Sequence, residues 1–398
     1  MKASIDVGRR FILTSLFVLV SIHARAELTP IFSSLVPGLD YAHITETNHP
    51  WSIHVARLER SHKELDLVST LAQGKIVGLS SVANQVKTFP AGSGKPLVAV
   101  NGDFFVIAKG PYQGDPLGLQ ILNGELVSAP NGASFWKDAE GNLFLDNVQS
   151  KFSILLPKGE KIPFGLNEQR QTSKAVLFTP AFGPSTRTTN GWEFILEKVE
   201  GKAWLPLHAD RSYEARVQEV RTTGDSPLAE DKMIISIDPK LASRFAGIQP
   251  GTILHFSTGT SRDIAKADTA VGGRPLLLVH GKELETSKQK GNNAATIVRH
   301  PRTALGWNAR YFFLVVVDGR QKELSMGMSS QELAHFMSTL GCTEAMNLDG
   351  GGSTTFWLDG KVVNSPSDRH ERSVANALII MQHRSDPGAQ NPLQKAAN

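Results

Sequence analysis

The chain has 398 residues, 42 Lys+Arg against 38 Asp+Glu, 12 His and 1 Cys, with 40 % hydrophobic and 20 % charged residues. That balance excludes disorder over most of the length, which accommodates one large domain or two to three small ones. A single cysteine excludes an intramolecular disulfide and a zinc site built from cysteines.

Residues 1–26 read as a secretory signal. Lys2, Arg9 and Arg10 form a basic start, Phe11 to Ile22 is an uncharged apolar run too short to cross a bilayer, and Ala24-Arg25-Ala26 has the small-x-small form of a cleavage site. Arg9-Arg10 leaves a twin-arginine route open beside the general one. The sequence pI is about 9.0. Four of these residues are basic and one is acidic, so removal of the segment takes the net charge from +4 to +1. Without a basic helix or a Lys/Arg run interleaved with aromatics, nucleic acid is not an expected partner. The expected location is periplasmic or secreted. No later segment is long and apolar enough for a membrane span, and oligomeric state is not legible.

Trp51, Ile53 and Val55 alternate with polar residues, and Leu65 to Val68 repeats the pattern, so both read as strands. Val82 to Lys87 reads as a short helix. Leu97 to Val100 is apolar throughout, as expected of a strand buried on both faces, and runs into Asn101-Gly102-Asp103. Asn123-Gly124 between apolar alternations is a strong two-residue hairpin signal. Weaker hairpin signals stand at Glu140-Gly141, Lys158-Gly159 and Glu200-Gly201. Tyr311 to Val317 is an apolar strand ending at Asp318-Gly319. Ser329 and Glu332 form a capping box for a helix whose apolar stripe is Leu333, Phe336, Met337 and Leu340, with Gly341 at the cap. Ala345 to Leu348 then enters Asp349-Gly350-Gly351-Gly352-Ser353.

The expected fold class is α+β, a mixed β-sheet core with a few helices and a β-rich middle region. The expected organisation is a signal peptide at 1–26, then an N-terminal β-rich segment at 27–96 packed on the main domain. That domain runs over 97–383 with a β-rich insertion at about 150–261, and a disordered tail follows at 384–398.

Two strand-end loops are the candidate sites. Three glycines after Asp349 cost chain entropy, which points to unusual backbone angles or close approach of a ligand, and successive N–H groups there can form an anion-binding nest. The alternative is a tight turn in which Asp349 caps its own backbone. Asn101-Gly102-Asp103 has the same form, and Gly272-Gly273-Arg274 is a weaker version. Arg302 suits bidentate contact with phosphate, or equally a surface ion pair. The charged run Asp368 to Arg372 reads first as a solvated face. His54 and His335 show no ligand spacing, and Cys342 reads as a buried small hydrophobe.

The stretch Asn347 to Phe356, with Asp349-Gly350-Gly351-Gly352-Ser353 at its centre, resembles the signature of the phosphodiester glycosidase family. Further pieces match in order: Asn101-Gly102 with Phe104-Phe105, Gly272-Gly273, Arg302-Thr303-Ala304-Leu305-Gly306, Asp318-Gly319, Gly327 with Glu332, Pro366-Ser367-Asp368, and Arg372. The resemblance spans about residues 97–381, and an exported bacterial-type homologue is its best description; one member of the family carries glycine where this chain has Asp103.

The resemblance implies hydrolysis of the C1–O bond of a sugar-1-phosphodiester, with a glycan or sugar-phosphodiester as substrate. It puts Asp349 forward as the main catalytic carboxylate and Asp103 or Asp318 as the second. Substrate contacts fall to Asn101, Gly102, Gly273, Arg302, Thr303, Asn347, Gly350, Gly351, Gly352, Ser353 and Arg372, with the two arginines on the phosphate. No cofactor is certain, and a divalent cation near Asp349 or Asn347 is left open. Two other readings stay open: hydrolysis of a non-phosphate exopolysaccharide, and saccharide binding without catalysis.

Overall fold

Strand Tyr311–Val317 shows why the apolar runs of this chain are continuous. In a computed structural model that describes residues 28–47, 50–90, 92–284 and 298–383, Phe312, Leu314 and Val316 face one core while Phe313, Val315 and Val317 face another. A strand buried on both faces has no polar side to alternate. The readings of residues 1–26 as a signal and 384–398 as a disordered tail lie outside the described residues.

Two antiparallel sheets form the centre. The eight-stranded sheet runs in the order Ser33–Val36, Leu39–Glu46, Trp51–Glu59, Tyr311–Val317, Arg302–Trp307, Glu344–Asn347, Leu276–Val279, Lys282–Glu283. The five-stranded sheet runs Lys361–Val362, Phe356–Leu358, Lys95–Asn101, Asn376–Gln382, Leu65–Leu71. Leu58, Val98, Val100, Leu314, Met346 and Ile380 belong to the core between them. Helix Ser330–Thr339 covers the outer face of the larger sheet, burying Leu333, Phe336 and Met337. Helix Val82–Lys87 does the same for the smaller sheet through Val82 and Val86. Of the first strands, Trp51–Glu59 pairs directly with Tyr311–Val317. Cys342 is buried, and burial pushes its thiol pKa up.

Another five-stranded antiparallel sheet is built from Glu125–Ser128, Gln120–Leu122, Ala267–Gly272, Asn131–Asp138 and Leu143–Gln149. Asn123 and Gly124, both at positive φ (48° and 80°), make its first turn, the geometry that a tight hairpin needs. Beyond it, strands between Ser153 and Ser257 close into a barrel in the stretch read as the β-rich middle.

The expected α+β class needs correction: the fold is mostly β, with 44 % strand and 9 % helix. The central sheets are also antiparallel rather than mixed. Among the described residues the one parallel pairing of named strands is Lys161–Leu166 with Ala175–Phe178, inside the barrel. The expectation came from the strand–helix–strand succession around residue 330. There the helix carries the chain over Arg302–Trp307, which pairs antiparallel with both flanking strands, so a single short crossover gave the appearance of a balanced class.

The capping box is present with both reciprocal hydrogen bonds: Glu332 N–H donates to Ser329 Oγ at 3.1 Å, and Ser329 N–H donates to Glu332 Oε2 at 3.0 Å. Ser329→Ala is expected to cost about 1 kcal/mol and lower the unfolding midpoint by about 2–4 °C, read by circular dichroism.

Candidate active site

Asp103 and Asp349 stand on neighbouring loops that are stitched together behind them. Asp349 N–H donates to the Gly102 carbonyl at 2.9 Å, and Asn101 Nδ2 donates to the Asp349 carbonyl at 2.7 Å. Asn101 Oδ1 in turn accepts from Thr303 Oγ1 at 2.7 Å and Thr355 N–H at 3.1 Å. Asn101, Gly102 and Thr303 therefore position the carboxylates from behind, and none of them lines the cleft. Asp103 N–H donates to Asn376 Oδ1 at 2.8 Å. A side chain on Gly102 would meet that oxygen at 2.4 Å, which explains the glycine.

The Asp103 carboxyl is enclosed. Oδ1 accepts from Phe104 N–H at 2.7 Å, while Oδ2 is buried with no hydrogen-bond partner. Gly118 and Gly272 leave it room: a Cβ on either would lie 2.8 or 2.4 Å from Oδ2. Burial pushes its pKa up to about 7; the Phe104 N–H and Arg274 oppose this, and the Asp349 charge adds to it. Asp349 is also raised, by burial, but four groups pull the other way: Ser353, the Gly350 N–H, Arg372 and Arg274. Burial thus raises both carboxyls, and Asp349 has more groups that favour its charged form.

Both acids line a cleft of about 810 Å³, together with Gly273, Asn347, Gly350 and Gly351 from the expected set. Asn347 Nδ2 donates to the Arg274 carbonyl at 2.7 Å, and its Oδ1 is buried without a partner. Gly273 is small because a Cβ would meet the Asn347 carbonyl at 2.6 Å. Among the described residues no group of three or more His, Cys, Asp or Glu is placed to hold a metal ion.

The cations of the cleft include two that sequence reading missed. Arg274 is exposed, its guanidinium 4.8 Å above the Phe104 ring. Arg320 is exposed and lies over Gly351, where a Cβ would come within 2.9 Å of Nη2. His300, 3.4 Å from that same nitrogen, has its pKa lowered by burial and by Arg302 and Arg320, so it is neutral at pH 7. Arg274 follows a glycine pair already singled out, and Arg320 follows Asp318-Gly319. Neither bears a further signal, since only the fold turns them into the cleft.

The two arginines expected on a phosphate do other work. Arg302 lines the cleft but is buried, donating Nε to the Met328 carbonyl at 2.8 Å; burial, then Arg320, pushes its pKa down to about 10. Arg372 does not line the cleft. It pairs with Asp368 through Nε at 3.0 Å and Nη2 at 2.7 Å, and reaches Ser353 Oγ at 3.4 Å. Ser353 and Arg372 both favour the charged form of Asp349, and neither lines the cleft. Gly352 makes room for them: a Cβ there would meet Arg372 Nη2 and Asp368 Oδ2 at 2.1 and 2.2 Å.

The nest reading of the glycine loop also changes. Gly350 N–H donates to Asp349 Oδ1, Gly351 N–H to the Pro301 carbonyl and Ser353 N–H to the Gly350 carbonyl, so these donors serve the turn itself. Asp318 is placed outside the cleft. It is buried and accepts from Ser52 Oγ, Asn364 Nδ2 and Ser365 N–H at 2.8, 3.0 and 2.9 Å, with His54 Nε2 at 3.5 Å.

Compared with known proteins, residues 212–381 match the family described as phosphodiester glycosidase, a span that holds Asp349 but not Asp103. The bovine N-acetylglucosamine-1-phosphodiester alpha-N-acetylglucosaminidase is 32 % identical over 114 residues, 26 % of this chain and 21 % of that protein. The matched stretches span 13 % to 22 % of the length of the curated relatives. A Synechocystis protein of known structure superposes with a TM-score of 0.71 at 18 % identity, over 89 % of this chain and 64 % of that one. A Burkholderia pseudomallei protein described as exported superposes with a TM-score of 0.65 at 23 % identity, over 85 % and 74 %. These two share the fold. Among the described residues no helix is long and apolar enough to cross a membrane.

Proposed function

We propose that this chain, which resembles the phosphodiester glycosidase family, hydrolyses the C1–O bond of a sugar-1-phosphodiester. The observation that carries the proposal is the pairing, in one cleft, of two buried acids with two exposed arginines. Arg274 and Arg320 hold the diester phosphate by charge-assisted hydrogen bonds, with neutral His300 as a further donor or acceptor. Asp349 assists attack of water at C1. Asp103 delivers its proton to the bridging oxygen as the C1–O bond breaks, so the products are free sugar and a phosphomonoester. A phosphomonoester has a second pKa near 6 and leaves more readily than an alcohol, so the acid has less to do than in ordinary glycoside hydrolysis. The basic start, apolar run and small-residue pattern of residues 1–26 support export to the periplasm or beyond.

The test is turnover of a set of methyl sugar-1-phosphodiesters against the methyl glycosides of the same sugars, in water enriched in oxygen-18. Free sugar carrying the label, formed at least about 100-fold faster from the diesters, is expected. Equal turnover of both sets would mean a simple glycosidase, label in the phosphate would mean P–O cleavage, and binding without products would mean a saccharide-binding protein. Arg320→Ala is expected to raise KM for the diester by roughly 10-fold or more while leaving the methyl glycoside unaffected. Loss of turnover on chelation, restored by one divalent cation, would add a metal to these side-chain roles, and unchanged turnover would leave the side chains sufficient.

A further inference from the structure

Beside the cleft lies a second pocket of about 380 Å³ that adjoins it: Leu117, on the loop that carries Asp103, and Asn131 line both cavities. That loop leaves the cleft at Asp103, reaches Asp115 in the second pocket and returns through Gly118 to the Asp103 carboxyl. It is held shut by Leu117 N–H donating to the Phe104 carbonyl at 2.9 Å, and Ser128 Oγ donates to the Gly118 carbonyl at 2.8 Å.

Asp115 is the notable group in the pocket. It is 6 % exposed, lines the cavity, and its carboxyl makes no hydrogen bond within the described chain. A carboxyl that faces a cavity without a partner among the described residues can take one from a ligand. Burial, reinforced by the Glu168 charge, pushes its pKa up to about 8, so at neutral pH it can both donate and accept. Glu168, Gln171 and Asn131 add polar groups of both kinds, and Pro163 and Phe164 add apolar surface. Such a set, donors and acceptors around an apolar face with the Glu168 charge met by Lys174, suits a neutral sugar ring rather than an ion.

We propose that this pocket is a second sugar subsite, taking the unit joined to the sugar whose C1–O bond is cut. The inference rests on the glycosidase reading and narrows its substrate to a phosphodiester of an oligosaccharide. The arrangement follows from the cleft: Arg320 lies over Gly351 with His300 beside it, Arg274 lies over Phe104, and Leu117 and Gly118 adjoin Asp103 and lead to the pocket.

The test compares a monosaccharide 1-(methyl phosphate) with the disaccharide 1-(methyl phosphate) that shares its reducing sugar, in wild type and Gln171→Trp. Gln171 is exposed at the pocket and takes no part in the cleft, so the indole fills the pocket without burdening the core. Wild type is expected to favour the disaccharide by at least 10-fold in kcat/KM. Gln171→Trp should abolish that preference and leave monosaccharide turnover unchanged, and Asp115→Ala should weaken the preference in the same direction. No preference in wild type, or a preference that Gln171→Trp leaves intact, overturns the subsite. If neither diester is turned over, the glycosidase reading has failed, and the subsite is then judged by saturation-transfer NMR with chitobiose and maltose. A transfer signal seen in wild type and abolished in Gln171→Trp sustains it, and the absence of any signal in wild type overturns it.

Discussion

Asp349→Asn is expected to lower kcat on a sugar-1-phosphodiester by about 1000-fold or more, with KM within a few-fold of wild type. The substitution keeps the shape and an acceptor oxygen for the Gly350 N–H, which donates to Oδ1 at 2.8 Å, and removes only the charge. The loop remains pinned through backbone atoms, since Asn101 holds the Asp349 carbonyl and the Gly102 carbonyl accepts its N–H. Loss of rate therefore reports on chemistry, and equilibrium unfolding provides the control. Because burial raises the Asp349 pKa, the uncharged variant should be no less stable than wild type at pH 7. A folded Asp349→Asn protein with full turnover would overturn the assignment. Ser353→Ala should be milder, because it withdraws one hydrogen bond from the carboxylate. The Asp349 pKa then rises, and the acid limb of the rate profile moves to higher pH.

The way this carboxylate is held explains how much of the site could be read from the chain. The Asp349-Gly-Gly-Gly-Ser block was legible because three glycines in a row have few other uses, and each now has a neighbour that excludes a side chain: the Pro301 carbonyl at Gly350, Arg320 at Gly351, Arg372 and Asp368 at Gly352. What those glycines admit could not be read, because the partners come from strands and turns far along the chain. The same holds for Asn376, which fixes Asp103 across 273 positions. Where the side chains of Arg302 and Arg372 lie could not be read for a related reason. Arg302 and Arg372 stand in recognisable motifs, but motifs record which residues are required, not which face solvent. A positioning arginine on Met328 or Asp368 is as necessary as one on the substrate. Local features fared better, since they depend on near neighbours: the capped helix, the Asn123-Gly124 turn and the doubly buried strands were each specified within a few residues. Overall class did not, because one ten-residue helix crossing an antiparallel sheet mimics the local signal of an α+β unit.

Asp103 carries the other large expected effect, and it is separable into activity and stability by pH. Its folded-state pKa of about 7 lies above the ordinary aspartate value of 3.8, so folding favours the protonated form. The stabilising contribution of that proton is fully present below about pH 3.8, declines as the pH rises toward 7, and is absent above it. Asp103→Asn cannot ionise. Its stability should match wild type at pH 3.5 and exceed it progressively above, with a gap on the order of 4 kcal/mol at pH 8. Guanidinium unfolding at the two pH values measures this gap, and a constant difference would show that Asp103 is not the buried acid described. Activity moves the other way. Wild-type kcat/KM should fall on the alkaline side of a pKa near 7, as the proton needed by the departing oxygen is lost. Asp103→Asn should erase that limb and reduce the rate by roughly 10- to 100-fold, less than Asp349→Asn, because a phosphomonoester needs little help to leave. An alkaline limb that persists unchanged in Asp103→Asn would assign the proton to another group.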